Sequence, residues 1–283
     1  MSSQNINIAS SNVSGKCDLK CSYSFSYQET NLTANNGGNA IKLTCESNST
    51  SPVTYNDQKY NVSTIYIISS SVHMFNNAQA NAEIIISHTP ASGGSELHIA
   101  IPIILSNNLS GATTIITEII DIVSTGAPAN GETTNLNITG FNLNNIIPKK
   151  PFFSYTDVDN NDWIVYGITS AISLNETTLT TLQNLIGATT ATSRSNTGLY
   201  FNSLGPNSVS NNKDGIYISC QPTGNSEEEM GVLEKNKNTT SYDLFSTSSI
   251  KSIFVYILFA VFIALFFFAL SFLFSYFFGA EKV

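Results

Sequence analysis

Five stretches of the chain read as β-strands. They are "KYNVSTIYIIS" (59–69), "NAEIIISH" (81–88), "ELHIAIPIIL" (96–105), "TNLNITGF" (134–141) and "DWIVYGITSAI" (162–172). Each is rich in Ile, Val, Tyr or Thr and is bounded by Gly, Asn, Ser or Pro clusters. Pro102 lies inside one run, which predicts an edge, a bulge or a broken strand there. Two stretches change to a helical period. Residues 113–126 put Ile115, Ile119 and Ile122 on one face, with Ile116, Ile120 and Val123 beside them, and Gly126 closes the helix. Residues 173–187 offer Ser173 and Glu176 as a capping box ahead of a stripe of Leu179, Leu182, Leu185 and Ile186. Both stripes predict core packing. The expected fold class is mainly β with a few helices. One strand carries an anomaly: Glu83 sits alone inside an apolar run, where a charge is costly unless paired or hydrogen-bonded.

The apolar pattern changes again near the C-terminus. Residues 252–280 contain no Asp, Glu, Lys, Arg or Pro. A bilayer core takes about 20 apolar residues as a helix. The stretch therefore predicts one transmembrane helix, Ile253 to Gly279, flanked by Lys251 and by Glu281-Lys282. Tyr256 and Tyr276 suit the two interfaces. The N-terminus lacks a basic start followed by an apolar run, so a signal peptide is not expected. The predicted organisation is a body over 1–222, a polar stalk over 223–251, a transmembrane helix over 252–280 and a short tail over 281–283. The expected topology is a single-pass C-terminal anchor, with the bulk of the chain on one side of a membrane.

Charge narrows the partners. Twelve Lys and Arg stand against 20 Asp and Glu, and Arg194 is the one arginine. Nucleic-acid binding leaves a basic stripe, and none is present. Four cysteines, Cys17, Cys21, Cys45 and Cys220, lack zinc-finger spacing and read as free thiols or possible disulfide partners. Eight Asn-x-Ser/Thr sequons begin at Asn12, Asn31, Asn48, Asn61, Asn108, Asn137, Asn175 and Asn238. A chain this rich in Asn, Ser and Thr generates such triplets by chance, so unmodified asparagines are expected.

Several stretches, in order, resemble the α-carbonic anhydrase family. "QNINI" (4–8) resembles its N-terminal Gln-Ser-Pro-Ile-(Asp/Asn)-Ile, and "NNGGNAIKL" (35–43) its Asn-Asn-Gly-His strand. "KYNVSTIYIISS" (59–70) stands in the place of its Phe-His-Phe-His strand. "SVHMFNNAQANAEIIISH" (71–88) resembles Ser-Glu-His-Thr-Val, a turn, and Ala-Glu-Leu-His-Leu-Val-His. "NIIPKKPFFSY" (145–155), "DWIVYGITSAISLNETTLTTLQNLI" (162–186) and "CQPTGN" (220–225) complete the order. The resemblance implies a central, mostly antiparallel sheet. It places the three zinc-binding histidines at Tyr66, Ile68 and Ile85, and the proton-shuttle histidine at Gly38. It makes Glu83 the remnant of a glutamate that orients a zinc ligand, now expected to take a backbone N–H or the hydroxyl of Thr64 or Tyr66. The loop that orients zinc-bound hydroxide is shortened to "TDVDNN" (156–161). His73 and His88 are expected as satisfied structural residues. His98 would need both beside it to make a new metal site.

The resemblance therefore implies no enzyme, no catalytic residue, no metal and no cofactor. An inactive domain of this family on a C-terminal anchor resembles the carbonic-anhydrase-like cell-surface-binding envelope proteins of poxviruses. The acidic balance here argues against a sulfated glycosaminoglycan as ligand. The Asn- and Ile-rich composition suits a large DNA virus with an AT-rich genome. The expected role is a virion membrane protein binding a host surface or a virion partner. Alternatives are a scaffold between an inner membrane and a capsid and, third, an active carbonate dehydratase with its metal moved to His73, His88 and His98.

Overall fold

The computed structural model describes residues 5–46, 51–108 and 110–208. The chain divides into two compact units, Met1–Glu229 and Met230–Val283, and every described residue belongs to the first. The expected transmembrane helix, the whole stalk, the short tail and Cys220 lie outside the described residues, as do the sequons at Asn48 and Asn238. Among the described residues, no helix is long and apolar enough to cross a membrane.

Up to Leu105 the regular elements of the described residues are strands, apart from one 3-10 turn at Ser10–Asn12: β1 (Asn7–Ile8), β2 (Val13–Lys16), β3 (Tyr23–Phe25), β4 (Leu32–Asn36), β5 (Ala40–Cys45), β6 (Val53–Tyr55), β7 (Gln58–Ser69), β8 (Met74–Phe75), β9 (Ala78–Gln79), β10 (Ala82–Pro90) and β11 (Leu97–Leu105). Helix α1 (Gly111–Gly126) follows, then β12 (Thr133–Asn135), β13 (Phe152–Thr156), β14 (Asp162–Tyr166), β15 (Ile172–Leu174), α2 (Glu176–Leu185) and β16 (Leu199–Asn202). A large mixed sheet runs in the order β12-β4-β5-β7-β10-β11-β14-β13-β16-β2. Most neighbours are antiparallel; β11 pairs β14 and β15 in parallel, and β16 pairs β2 in parallel. A small second sheet joins β1, β8 and β9.

Alternation explains the layers. Along β7, β10 and β11 one set of side chains, Ile65, Ile67, Ile84, Ile86, Ile99, Ile101 and Ile103, points into the main core. Helices α1 and α2 cover that core with Ile116, Ile119, Ile120, Val123, Leu179 and Leu182. The opposite face of the sheet carries a smaller cluster of Ile8, Phe75, Ala100, Phe153, Tyr155, Val165 and Leu199.

Three expected elements differ. The run 162–172 breaks after Tyr166, where a 3-10 turn at Ile168–Ser170 separates β14 from β15. Of 134–141 only the first residues pair, as β12 against β4. The helix cap is Asn175, whose side chain accepts the Thr178 N–H; Ser173 belongs to β15 instead of a capping box. Pro102 sits within an unbroken β11, registered opposite Glu83. The break falls on its other flank: β14 pairs through Ala100 and β15 resumes at Ile103. A residue without an N–H is tolerated where the neighbouring ladder is interrupted.

Cys17 and Cys21 form a disulfide with Cα atoms 5.3 Å apart. It closes the turn between β2 and β3. The loop is short, so its loss from a Cys17→Ser/Cys21→Ser variant is expected to lower stability by about 2 kcal/mol, read as a lower denaturant midpoint at constant slope.

Candidate functional site

Residues directly opposed on antiparallel strands share a face, as do residues two apart on one strand. Tyr66 is opposite Ile85, and Ile68 is opposite Glu83. The three positions singled out for the lost zinc ligands are therefore immediate neighbours on one face of the sheet. It is the face away from the helices. Ile68 is buried; Tyr66 and Ile85 are half-buried. The same row extends to Lys42 on β5 and Ala100 on β11. Gly38 lies two residues beyond the pair Ala40–Ile68, in the β4–β5 turn. It adopts φ +76°, and a Cβ there would stand 2.9 Å from the Asn130 side chain. A larger residue at Gly38 needs both a strained backbone and a displaced Asn130.

Glu83 is fully buried and doubly bonded. One carboxylate oxygen accepts the Val72 N–H at 2.9 Å, and the other lies 2.7 Å from His73 Nδ1. The far side of the His73 ring, Nε2, meets the Tyr155 hydroxyl at 2.8 Å. Burial, helped by the Glu83 charge, pushes the Tyr155 hydroxyl far up, so it stays a phenol able to donate to Nε2. His73 Nδ1–H then donates to Glu83. The expectation of a backbone N–H was right for one oxygen. The other takes His73, not Thr64 or Tyr66, because His73 returns on the segment joining β7 to β10 and enters the sheet beside it.

His73, His88 and His98 do not converge. His88 follows Ile84 and Ile86 by alternation onto the main-core face, where Nδ1 lies 3.2 Å from the Leu97 carbonyl and Nε2 2.9 Å from the Tyr27 hydroxyl. His98 is on the opposite face, bonded to Ser87 Oγ at 3.0 Å. Trp163 stands between His98 and His73, with ring centroids 4.5 and 5.3 Å away. Among the described residues, no three His, Cys, Asp or Glu side chains gather as a metal-holding group.

Sequence reasoning missed the part played by Tyr155 and Trp163. Their rings stack with centroids 5.9 Å apart and pack against His73. It also missed what the shortened 156–161 loop does. Asp157 accepts the N–H groups of Asp159 and Asn161 through one oxygen and Trp163 Nε1–H at 2.8 Å through the other. The loop is a turn that orients Trp163. The Asp-x-Asp-x-Asn spacing was the available signal for that turn.

A separate cleft of about 310 Å³ opens where β5 diverges from β7, lined by Tyr27, Cys45, Glu46, Val62 and Leu143 among others. Cys45 is the free cysteine of the described residues. Burial pushes its thiol up to about 11, so it stays protonated and poorly nucleophilic at neutral pH.

No protein-family model matches the sequence, and no curated protein does. Solved structures do. Dioscorin complexed with ascorbate aligns at TM-score 0.58 and 12% identity, over 72% of this chain and 86% of its own. The α-carbonic anhydrase of Photobacterium profundum aligns at TM-score 0.56 and 14% identity, over 70% and 88%. The fold is carbonic-anhydrase-like. The α-carbonic anhydrase of Thermovibrio ammonificans, complexed with sulfanilamide, aligns at TM-score 0.55 and 13% identity, over 70% and 86%. At these identities the likeness concerns the carbonic-anhydrase-like fold alone.

Proposed function

We propose that the chain is a non-enzymatic, membrane-anchored virion protein that displays a carbonic-anhydrase-like domain for binding a host surface or a virion partner. One observation carries the reading. The patch where the family resemblance places three histidines holds a phenol and two aliphatic side chains, adjacent on β7 and β10. Zinc takes nitrogen, sulfur or oxygen donors, and catalytic sites use three protein ligands. Ile68 and Ile85 offer none. The residues present do not fit the metal, and without it nothing there lowers the pKa of water toward 7. Glu83 supports the same reading: its carboxylate is already occupied by His73 and Val72.

The test is metal analysis with a CO2-hydration assay. The chain is expected to hold no stoichiometric zinc and to hydrate CO2 no faster than buffer. The variant Tyr66→His/Ile68→His/Ile85→His, with alternate and facing imidazoles, is expected to gain stoichiometric zinc. Zinc and hydration by the unaltered chain would overturn the proposal. Protease shaving of intact particles then separates display from scaffolding: a domain protected until the membrane is opened favours the scaffold.

A further inference from the structure

The described chain ends at one corner of the sheet, and that corner differs from the rest of the surface. Parallel pairing of β16 with β2 sets Phe201 beside Lys16. Asn202 Nδ2 donates to the Cys21 carbonyl at 3.0 Å. The Ser203 N–H and hydroxyl both donate to the Asp18 carboxylate, the N–H at 2.6 Å. A Cβ on Gly205 would stand 2.9 Å from the Lys150 carbonyl oxygen. Three backbone segments, 16–20, 149–151 and 201–205, thus converge just before the described chain ends at Ser208, and the Cys17–Cys21 disulfide stiffens the first.

The side chains there are unusual for this molecule. The described residues carry seven Lys and Arg against thirteen Asp and Glu, a formal −6. Four of the seven, Lys16, Lys20, Lys149 and Lys150, are exposed at this corner. Leu19 and Leu204, 45% and 51% exposed, lie among them. The carboxylate within the corner is Asp18, held by Ser203; Asp57 follows nearby, next to Asn56, which bonds Ser22.

We propose that this corner is a foot that rests on an anionic lipid bilayer. Lysines at an anionic surface gain from its negative potential, and exposed leucines enter the headgroup boundary. The place of the chain's exit favours a membrane over another polyanion. Forty-three residues separate Ser208 from the apolar stretch that starts at Ser252. An anchor in the same chain would favour lipid over a free polyanion as the corner's partner, because the second contact is then intramolecular. The inference rests on the reading of residues 252–280 as a membrane anchor.

The experiment uses the full chain reconstituted into vesicles of phosphatidylcholine, with or without about 30% phosphatidylserine. Lysines are labelled with an amine-reactive reagent and read by peptide mass spectrometry, with Lys42 and Lys59 as internal references. Labelling of Lys16, Lys20, Lys149 and Lys150 is expected to fall on the order of fivefold against the references in anionic vesicles only, and to recover at high salt. A chain that resists alkaline extraction but labels equally in both vesicles overturns the foot and leaves the anchor reading standing. A chain extracted from both overturns the two together. Protection by soluble heparin but not by anionic vesicles overturns the foot in favour of a polyanion site.

Discussion

Replacing Glu83 by alanine is expected to destabilise the domain by about 3–5 kcal/mol, the largest loss of any single substitution considered for this sheet. The expectation follows from what is left behind. Glu83 is fully buried and takes two donors, the Val72 N–H and His73 Nδ1–H. Alanine leaves both without an acceptor in a place water does not reach, and adds a cavity. Glu83→Gln keeps one acceptor but turns an amide N–H toward one of the two donors. Its loss is expected to be smaller but still above 1 kcal/mol. The decisive measurement is a cycle with His73→Phe. If the pair acts as a unit, Glu83→Leu combined with His73→Phe costs less than the sum of the singles, because no imidazole N–H remains to satisfy. Additive losses from urea midpoints would show that the two residues contribute independently and that the network is not a unit.

That network also marks how far the sequence could be read. The long strands were legible because each has one face in the main core, so Ile65 and Ile67, Ile84 and Ile86, and Ile99, Ile101 and Ile103 write a period of two into the chain. The helix at 111–126 was legible for the same reason at the helical period. Short strands such as β3 and β16 were not, since three or four residues hold no period and pair only because their neighbours are in place. The break between β14 and β15 depends on a tertiary turn at Ile168–Ser170 that no local pattern announces. Within the site, the family resemblance implied the meeting of Tyr66, Ile68 and Ile85; pleating alone sets Tyr66 and Ile68 on one face, and the β7–β10 register brings Ile85 opposite Tyr66. The partner of His73 did not follow. Tyr155 is 82 residues away and reaches Nε2 only through the closure of β13 onto β14.

Lowering the pH from 7.5 to 5 is expected to remove about 2 kcal/mol of stability through His88 alone, and about 3 kcal/mol once the pH is below 4. Burial lowers the His88 pKa to about 4 from its ordinary 6.5, the Leu97 carbonyl opposing and the His98 charge adding to the shift. The neutral ring has both nitrogens bonded: Nδ1–H donates to Leu97, and Nε2 accepts from the Tyr27 hydroxyl, itself kept protonated by burial. A proton on Nε2 puts a charge into the main core. The unfolded chain binds that proton near pH 6.5 and the folded chain only near pH 4. Stability is therefore whole above pH 6.5 and drains away between 6.5 and 4, with nothing further to lose below. Burial lowers the His98 pKa as well, which steepens the same limb. Asp162 works the other way, since burial raises its carboxyl and protonation relieves the fold. Urea midpoints of the wild type and of His88→Gln, measured between pH 7.5 and 4.5, isolate the histidine. Glutamine keeps an amide N–H for Leu97 and an oxygen for Tyr27 but cannot titrate, so the variant is expected to lose most of the slope in that window even if it starts less stable. An unchanged slope in His88→Gln would assign the acid sensitivity to other groups and leave the Tyr27–His88 pair a neutral packing contact at every pH.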